Sequence, residues 1–145
     1  MAPLIYLDTH VAAWLFAGRT DLLPQAVRAL LDEHDLLVSP AVKLELQYLY
    51  EIQRAAEPAR VVIETLERDL GLKVCDLPFP GVVDIAVGQD WTRDPFDRLI
   101  VSQAMLRGVA LITKDRNIRN HFPKAVWAAK TSEQSPLRGN RGIEQ

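Results

Sequence analysis

The 145-residue sequence predicts an α/β protein, a three-layer α/β/α sandwich built on a largely parallel central sheet. Two observations carry this expectation. Short runs such as "LIYLD", "DLLVS" and "VALIT" are almost continuously apolar, as strands are when both faces of their sheet are covered. Longer segments between them repeat apolar residues at helical spacing, for example Ala26, Val27, Leu30 and Leu31. Strands that alternate with helices in this way form parallel sheets with helices on both sides.

Each element has its own local signal. "LIYLD" (Leu4 to Asp8) reads as the first strand, followed by a short helix from Val11 to Ala17 that Gly18 closes. "LLPQAVRALLDEH" carries the second helix and "DLLVS" the second strand. At Ser39-Pro40 a capping residue precedes proline at the first helical position, so "AVKLELQYLYEIQ" is expected as a helix. Pro58 opens a further helix through "ARVVIETLERDLG", which Gly71 ends. "LKVCDL" is the third strand, "GVVDIAVGQDW" the fifth helix and "DPFDRLIVSQAMLRG" the sixth, closed by Gly108. "VALIT" forms the fourth strand, Asn117 to Phe122 a short helix, and "AVWA" the last strand. The chain contains no internal repeat.

A chain of this length supports one sizeable core and is too short to suggest two. Residues 1–130 are expected to form that domain. The final segment, "TSEQSPLRGNRGIEQ", has only Leu137 and Ile143 as aliphatic side chains, so residues 131–145 read as a flexible tail. With 48% apolar and 25% charged residues, the composition is that of a globular protein rather than a disordered one. The net charge of −2 lacks the signature of a strongly basic nucleic-acid binder, yet leaves open a substrate held through metal ions. Cys75 is the only cysteine, which excludes an internal disulfide and favours a reducing compartment; within "KVCDL" it reads as a small buried hydrophobe. The start "MAPLIYLDTH" lacks the pattern of a signal peptide, and no stretch reaches the roughly 18 apolar residues of a membrane span. A cytoplasmic location without membrane contact is therefore expected.

Ligands of parallel sheets bind beyond the carboxyl ends of the strands, which directs attention to the residues that follow each strand. Asp8 ends the first strand and Asp115 the fourth, in "LITKD". Asp97 occupies the first turn of the sixth helix. Glu45 is the most telling acid, because its helical neighbours Ala41, Val42, Tyr48 and Leu49 are all apolar or aromatic. A carboxylate on such a face is costly unless it is paired, protonated or bound to a cation. Each acid also has a plainer reading. Asp94 before Pro95 makes a good helix cap, Asp97 complements the helix dipole, and Asp8 and Asp115 can cap the helices they precede. Glu45 can pair with a buried arginine. Four separate structural explanations are then needed where a single metal site accounts for all of the acids.

These segments, "YLDTH", the helical Glu45, "RDPFDRLIVSQA" and "LITKD", resemble the successive acidic motifs of PIN-domain ribonucleases, in particular the VapC-type toxins of toxin–antitoxin pairs. The resemblance runs from about Leu4 to Ala128. It implies an acidic quartet of Asp8, Glu45, Asp97 and Asp115, supported by Thr9 and Thr113; Asp94, read as the helix cap, is expected to support the site beside them. Thr92 departs from the pattern, since many relatives place a histidine there. The resemblance also implies an endoribonuclease that works as a homodimer and is inhibited by a small antitoxin.

An oxygen-only donor set suits a hard cation, so Mg²⁺ or Mn²⁺ is expected rather than zinc; His10, His34 and His121 show no zinc-ligand spacing. Divalent ions held by carboxylates activate water, align it with a phosphodiester and stabilise the leaving oxygen. Asp8 and Asp97 are expected as direct ligands, Glu45 as a ligand or water-orienting base, and Asp115 as a ligand directly or through water. Lys43, Arg93, Arg98, Lys114, Arg116 and Arg119 lie near the motifs and are candidates for contacts to RNA phosphates, with Arg98 alternatively pairing with an acid of the site. Two other classes remain open: a catalytically silent PIN-fold binding module, and a phosphoacceptor signalling domain. The second normally has paired acids after its first strand, where this chain has one. Finally, Leu46, Tyr48, Leu49, Tyr50 and Ile52 crowd one helix on several sides, so part of this cluster is expected to face another chain unless the neighbouring helix covers it.

Overall fold

A computed structural model describes residues 2–128. The expected tail at 131–145 lies outside the described residues, as does the end of the expected domain. In chain order the elements are β1 (Leu4–Leu7), α1 (Thr9–Phe16), a 3₁₀ turn (Thr20–Leu22), α2 (Gln25–Glu33), β2 (Asp35–Val38), α3 (Pro40–Glu51), α4 (Ala59–Leu70), β3 (Lys73–Val74), α5 (Phe79–Val87), α6 (Pro95–Arg107), β4 (Leu111–Ile112), α7 (Arg116–His121) and β5 (Ala125–Val126). The strands pair in the order β3-β2-β1-β4-β5, and every pairing is parallel. With helices on both sides, this is the three-layer sandwich that the apolar strands predict.

The order of the strands locates the site. From β1 the chain winds outward to β2 and β3, then returns past β1 to place β4 on its other side and β5 beyond. The two halves of the winding diverge at β1 and β4, and a crevice opens past the carboxyl ends of those strands. Ile5, Tyr6 and Leu7 of β1 are all buried, consistent with a central strand covered on both faces. In the helical layers α3 packs against α1, α4 and α6, so one helix reaches from the end of β1 to the start of α6.

Helix ends follow the capping chemistry in the sequence. The Ser39 hydroxyl accepts from Ala41 N at 3.1 Å, with Pro40 as the first residue of α3. Gly108 ends α6 with φ 78°, a left-handed conformation that a side chain at this position would strain. Several boundaries differ from expectation: α1 and α5 start earlier, at Thr9 and Phe79, β3 and β4 are shorter, and two helix ends differ for a physical reason. Helix α5 stops at Val87, capped by Gly88, instead of running to Trp91. Residues 88–94 form a loop because Asp94 must leave helical geometry to cap α6, while the Trp91 ring stacks on His121 of α7 at 5.1 Å and 7°. Helix α3 ends at Glu51, since Gln53 adopts φ 63°.

Cys75 is buried but is more than a small hydrophobe. Its sulfur accepts from Tyr6 Oη at 2.8 Å, Gln103 Nε2 at 3.2 Å and Arg107 Nη2 at 3.3 Å. Burial alone raises a thiol, yet the hydrogen bonds from Tyr6, Arg107 and the Leu77 backbone outweigh it, and the Cys75 thiol lies below its ordinary value. The result is a polar tie between β1, the end of β3 and α6. Its sequence signal is weak, because the partners lie 28 to 69 residues away.

Candidate active site

Beyond β1 and β4 lies a cavity of about 430 Å³ lined by Asp8, His10, Trp14, Glu45, Asp94, Asp97, Lys114 and Asp115. All four members of the expected quartet reach it, brought from four separate stretches of chain. Asp8 follows β1 directly and caps α1, its Oδ1 accepting from Thr9 N at 2.8 Å. Its second oxygen, Oδ2, accepts from Thr113 Oγ1 at 2.6 Å. Thr113 follows β4 and also accepts from Asp115 N at 3.0 Å, so one threonine braces both strand-end acids. Asp115 in turn caps α7, accepting from Ile118 N at 3.0 Å. Capping and site roles coincide here: the caps hold the carboxylates at the rim of the cavity.

Glu45 does not find a buried arginine. It accepts a hydrogen bond from Thr9 Oγ1, which ties α3 to the start of α1. Both threonines expected as supports therefore touch a site carboxylate. Asp94 caps α6, accepting from Phe96 N at 2.8 Å and Asp97 N at 3.3 Å, and it lines the cavity as well. Thr92, in the position where the family pattern has histidine, accepts from Asp94 N at 3.1 Å and so supports the cap.

Acids dominate the electrostatics of the cavity. Among the described residues the ion pairs join Arg19 to Asp21, Arg60 to Glu64 and Arg68 to Asp69, all away from these acids. Asp97 bears the consequence: burial, then the charges of Asp94, Asp8, Asp115 and Glu45, push its carboxyl up to about 8. Burial also raises Asp8, against the hydrogen bonds from Thr113 and Thr9, and it raises Glu45. Five carboxylates ring the space, and among the described residues no three of them converge on a single ion-sized point. The oxygen-only donor set fits a hard divalent cation.

The basic candidates separate. Lys114 lines the cavity, with Nζ 5.8 Å from the Trp14 ring centroid. Arg116 is exposed at the start of α7, close in sequence to Asp115. Arg98 turns away from the acids and donates to the carbonyl oxygens of Thr92 at 2.9 Å and Ala86 at 3.3 Å, which fastens the loop between α5 and α6. Arg93 and Arg119 likewise donate to backbone carbonyls, of Asp90 and Lys114. Lys43 lines a different groove, with Pro40, Leu44, Gln47, Ala59 and Arg60. Sequence reasoning missed His10 and Trp14 as cavity residues. Their signal was available, since residues four apart share a helix face and both closely follow Asp8.

An all-parallel sandwich with clustered carboxylates beyond its central strands is the architecture of a PIN domain. The PIN domain family model matches residues 5–121. The chain belongs to the PIN-domain family, among the VapC ribonucleases. It is 32% identical over 131 residues to Ribonuclease VapC22 of Mycobacterium tuberculosis, spanning 85% of this chain and 98% of that protein. Among the solved structures that share the fold are two toxin–antitoxin assemblies. One is VapBC2 from Rickettsia felis bound to a DNA fragment from their promoter, with a TM-score of 0.61 at 15% identity, covering 94% of this chain and 98% of that one. The other is a toxin–antitoxin complex from Klebsiella pneumoniae, with a TM-score of 0.58 at 18% identity, covering 84% and 95%.

Proposed function

We propose that this protein is a divalent-metal-dependent endoribonuclease, the toxin of a toxin–antitoxin pair, and that Asp8, Glu45, Asp97 and Asp115 carry its chemistry. The observation behind this reading is Asp97, half-buried among four other carboxylates and raised to about 8, an arrangement that is unfavourable without a cation. Mg²⁺ or Mn²⁺ would be held by Asp8 and Asp97 directly, with Glu45 and Asp115 completing the site, and would supply water activation and stabilisation of the leaving oxygen.

The chain's own groups then have definite tasks. Thr113 holds Asp8 and Thr9 holds Glu45, so both carboxylates keep fixed orientations. Glu45, held by Thr9 and with its carboxyl pushed up by burial, orients the attacking water. Lys114, inside the cavity, and Arg116, beside it, contact the phosphates of RNA. No covalent protein nucleophile is involved.

Two protein partners belong to this reading. A small antitoxin is the first, supported by the VapBC complex and the toxin–antitoxin complex that share the fold. A second copy of the chain is the other, supported by the exposed apolar residues Leu44, Tyr48, Tyr50 and Ile52 on and just after α3.

Incubation of the purified protein with a pool of structured RNAs, with and without Mg²⁺, tests the activity by the appearance of new ends. Asp97→Asn is expected to abolish cleavage and keep the fold, because asparagine preserves shape and removes charge. Loss of a metal ligand removes several kcal/mol of transition-state stabilisation, a rate loss of orders of magnitude. A residue that only complements the helix dipole is worth about 0.3–1 kcal/mol, so near wild-type rates in Asp97→Asn would refute the assignment.

A further inference from the structure

The acidic cavity has one wall that is not acidic. Among the described residues, His10 and Trp14 of α1, with Lys114 after β4, are the lining residues that are not carboxylates. Trp14 and His10 also line a second cavity, of about 290 Å³, together with apolar side chains such as Ala13, Phe16, Leu46 and Leu49. The indole thus stands where the acidic cavity passes into an apolar one. Its aromatic neighbours meet it at a tilt, His10 at 6.2 Å and 51°, Trp127 at 6.1 Å and 53°, so neither lies flat on the ring. What stands over the ring is the Lys114 ammonium, 5.8 Å from the centroid.

We propose that Trp14 is the stacking platform for a nucleobase adjacent to the scissile phosphate, and that the base takes the place of the Lys114 ammonium, which turns to the neighbouring phosphate. The inference rests on the ribonuclease reading and adds to it the group that grips the base. A ring of carboxylates repels the phosphate backbone and offers a base no apolar face to stack on. An indole offers a flat apolar face that accepts any base, and stacking of this kind contributes strongly to single-strand binding. The ammonium over the ring is held by a weak cation–π contact, which a phosphate readily outcompetes.

The test compares single-stranded pentaribonucleotides with and without a base at one position, in Mg²⁺, on the whole chain. In cleavage assays Trp14→Leu is expected to raise KM about tenfold or more with a smaller change in kcat, and Trp14→Phe to restore most of the loss. Binding measured by anisotropy in the Asp97→Asn background is expected to weaken equally when Trp14→Leu is added or when one oligonucleotide base is removed, and the two losses should not add. Equal KM and equal affinity for Trp14→Leu and the parent overturn the platform, as does undiminished binding of every abasic oligonucleotide to the parent, a comparison that involves no substitution at Trp14. If the wild type cleaves no RNA, the ribonuclease reading fails on its own, and the binding series still decides the platform: base-dependent affinity lost in Trp14→Leu supports it, and absence of binding overturns it.

Discussion

Asp97 has a property that can be measured without substrate. A carboxyl raised to about 8 in the folded chain, against an ordinary value of about 4 when unfolded, binds its proton more tightly in the folded state. The contribution of Asp97 to stability is therefore full below about pH 4 and is lost as pH climbs from about 4 toward 8. Asp8 and Glu45 are raised in the same direction and add to the trend. In chelator, the protein is expected to melt at a progressively lower temperature over this window, and Asp97→Asn to melt a few degrees above wild type at pH 8. The gain is modest because Asp97 is partly exposed and solvent screens its neighbours. Mg²⁺ should reverse the order by stabilising wild type through mass action and leaving the variant nearly unmoved. A wild-type melting temperature independent of both pH and Mg²⁺ would contradict the charge cluster. The same residue scale shows what was legible from sequence. Asp8, Asp115 and Glu45 were readable because strand ends and helix periodicity determine where a backbone points a side chain. The course of Arg98, which fastens a loop instead of facing an acid, was not, because a long side chain chooses its partner only once the loop from 88 to 94 is folded.

At the scale of elements, the strands and helices were readable because burial on two faces and capping chemistry are local signals, as at Ser39-Pro40 and Gly108. The end of α5 was not, since Trp91 leaves the helix to stack on His121, thirty positions further along the chain. The polar tie at Cys75 is a second long-range feature, and it decides how α6 seats on the sheet. Tyr6 of β1, Gln103 and Arg107 of α6 all donate to one sulfur, while Arg107 Nε also donates to Tyr6 Oη at 2.9 Å. Tyr6 itself, buried and donating to Cys75, is pushed up to about 12. Cys75→Val keeps an apolar side chain of similar size and strands two buried donors, Tyr6 Oη and Gln103 Nε2, besides the half-buried Arg107, so it is expected to cost about 1–3 kcal/mol in urea unfolding. Cys75→Ser retains an acceptor and should lose less than the valine variant. A neutral or stabilising valine would return Cys75 to the status of a small hydrophobe. Since α6 presents Asp97 at its first turn, the tie at its far end also helps to fix the angle at which that carboxylate enters the cavity.

For the whole molecule, the proposed homodimer follows from how α3 is used. Leu46 is buried and Leu49 half-buried, and both are accounted for by packing within the chain; α4 covers part of the helix, as the plainer reading allowed. The opposite side remains uncovered: Leu44 is 62% exposed and Tyr48 49%, with Phe96 of α6 at 6.1 Å from the Tyr48 ring. Helix α3 also delivers Glu45 to the cavity, so a contact on its outer face would brace the element that carries a site acid without entering the site. An exposed apolar strip of this kind marks an interaction surface, and self-association buries two copies of it about a two-fold axis. The wild-type chain is expected to show a dimer mass in light scattering at micromolar concentration. Leu44→Asp with Tyr48→Asp should give a monomer mass with an intact far-UV spectrum, because both side chains are exposed within one chain, Tyr48 giving up only its contact with Phe96. A strictly monomeric wild type, or a double variant that stays dimeric, would count against α3 as the dimer face.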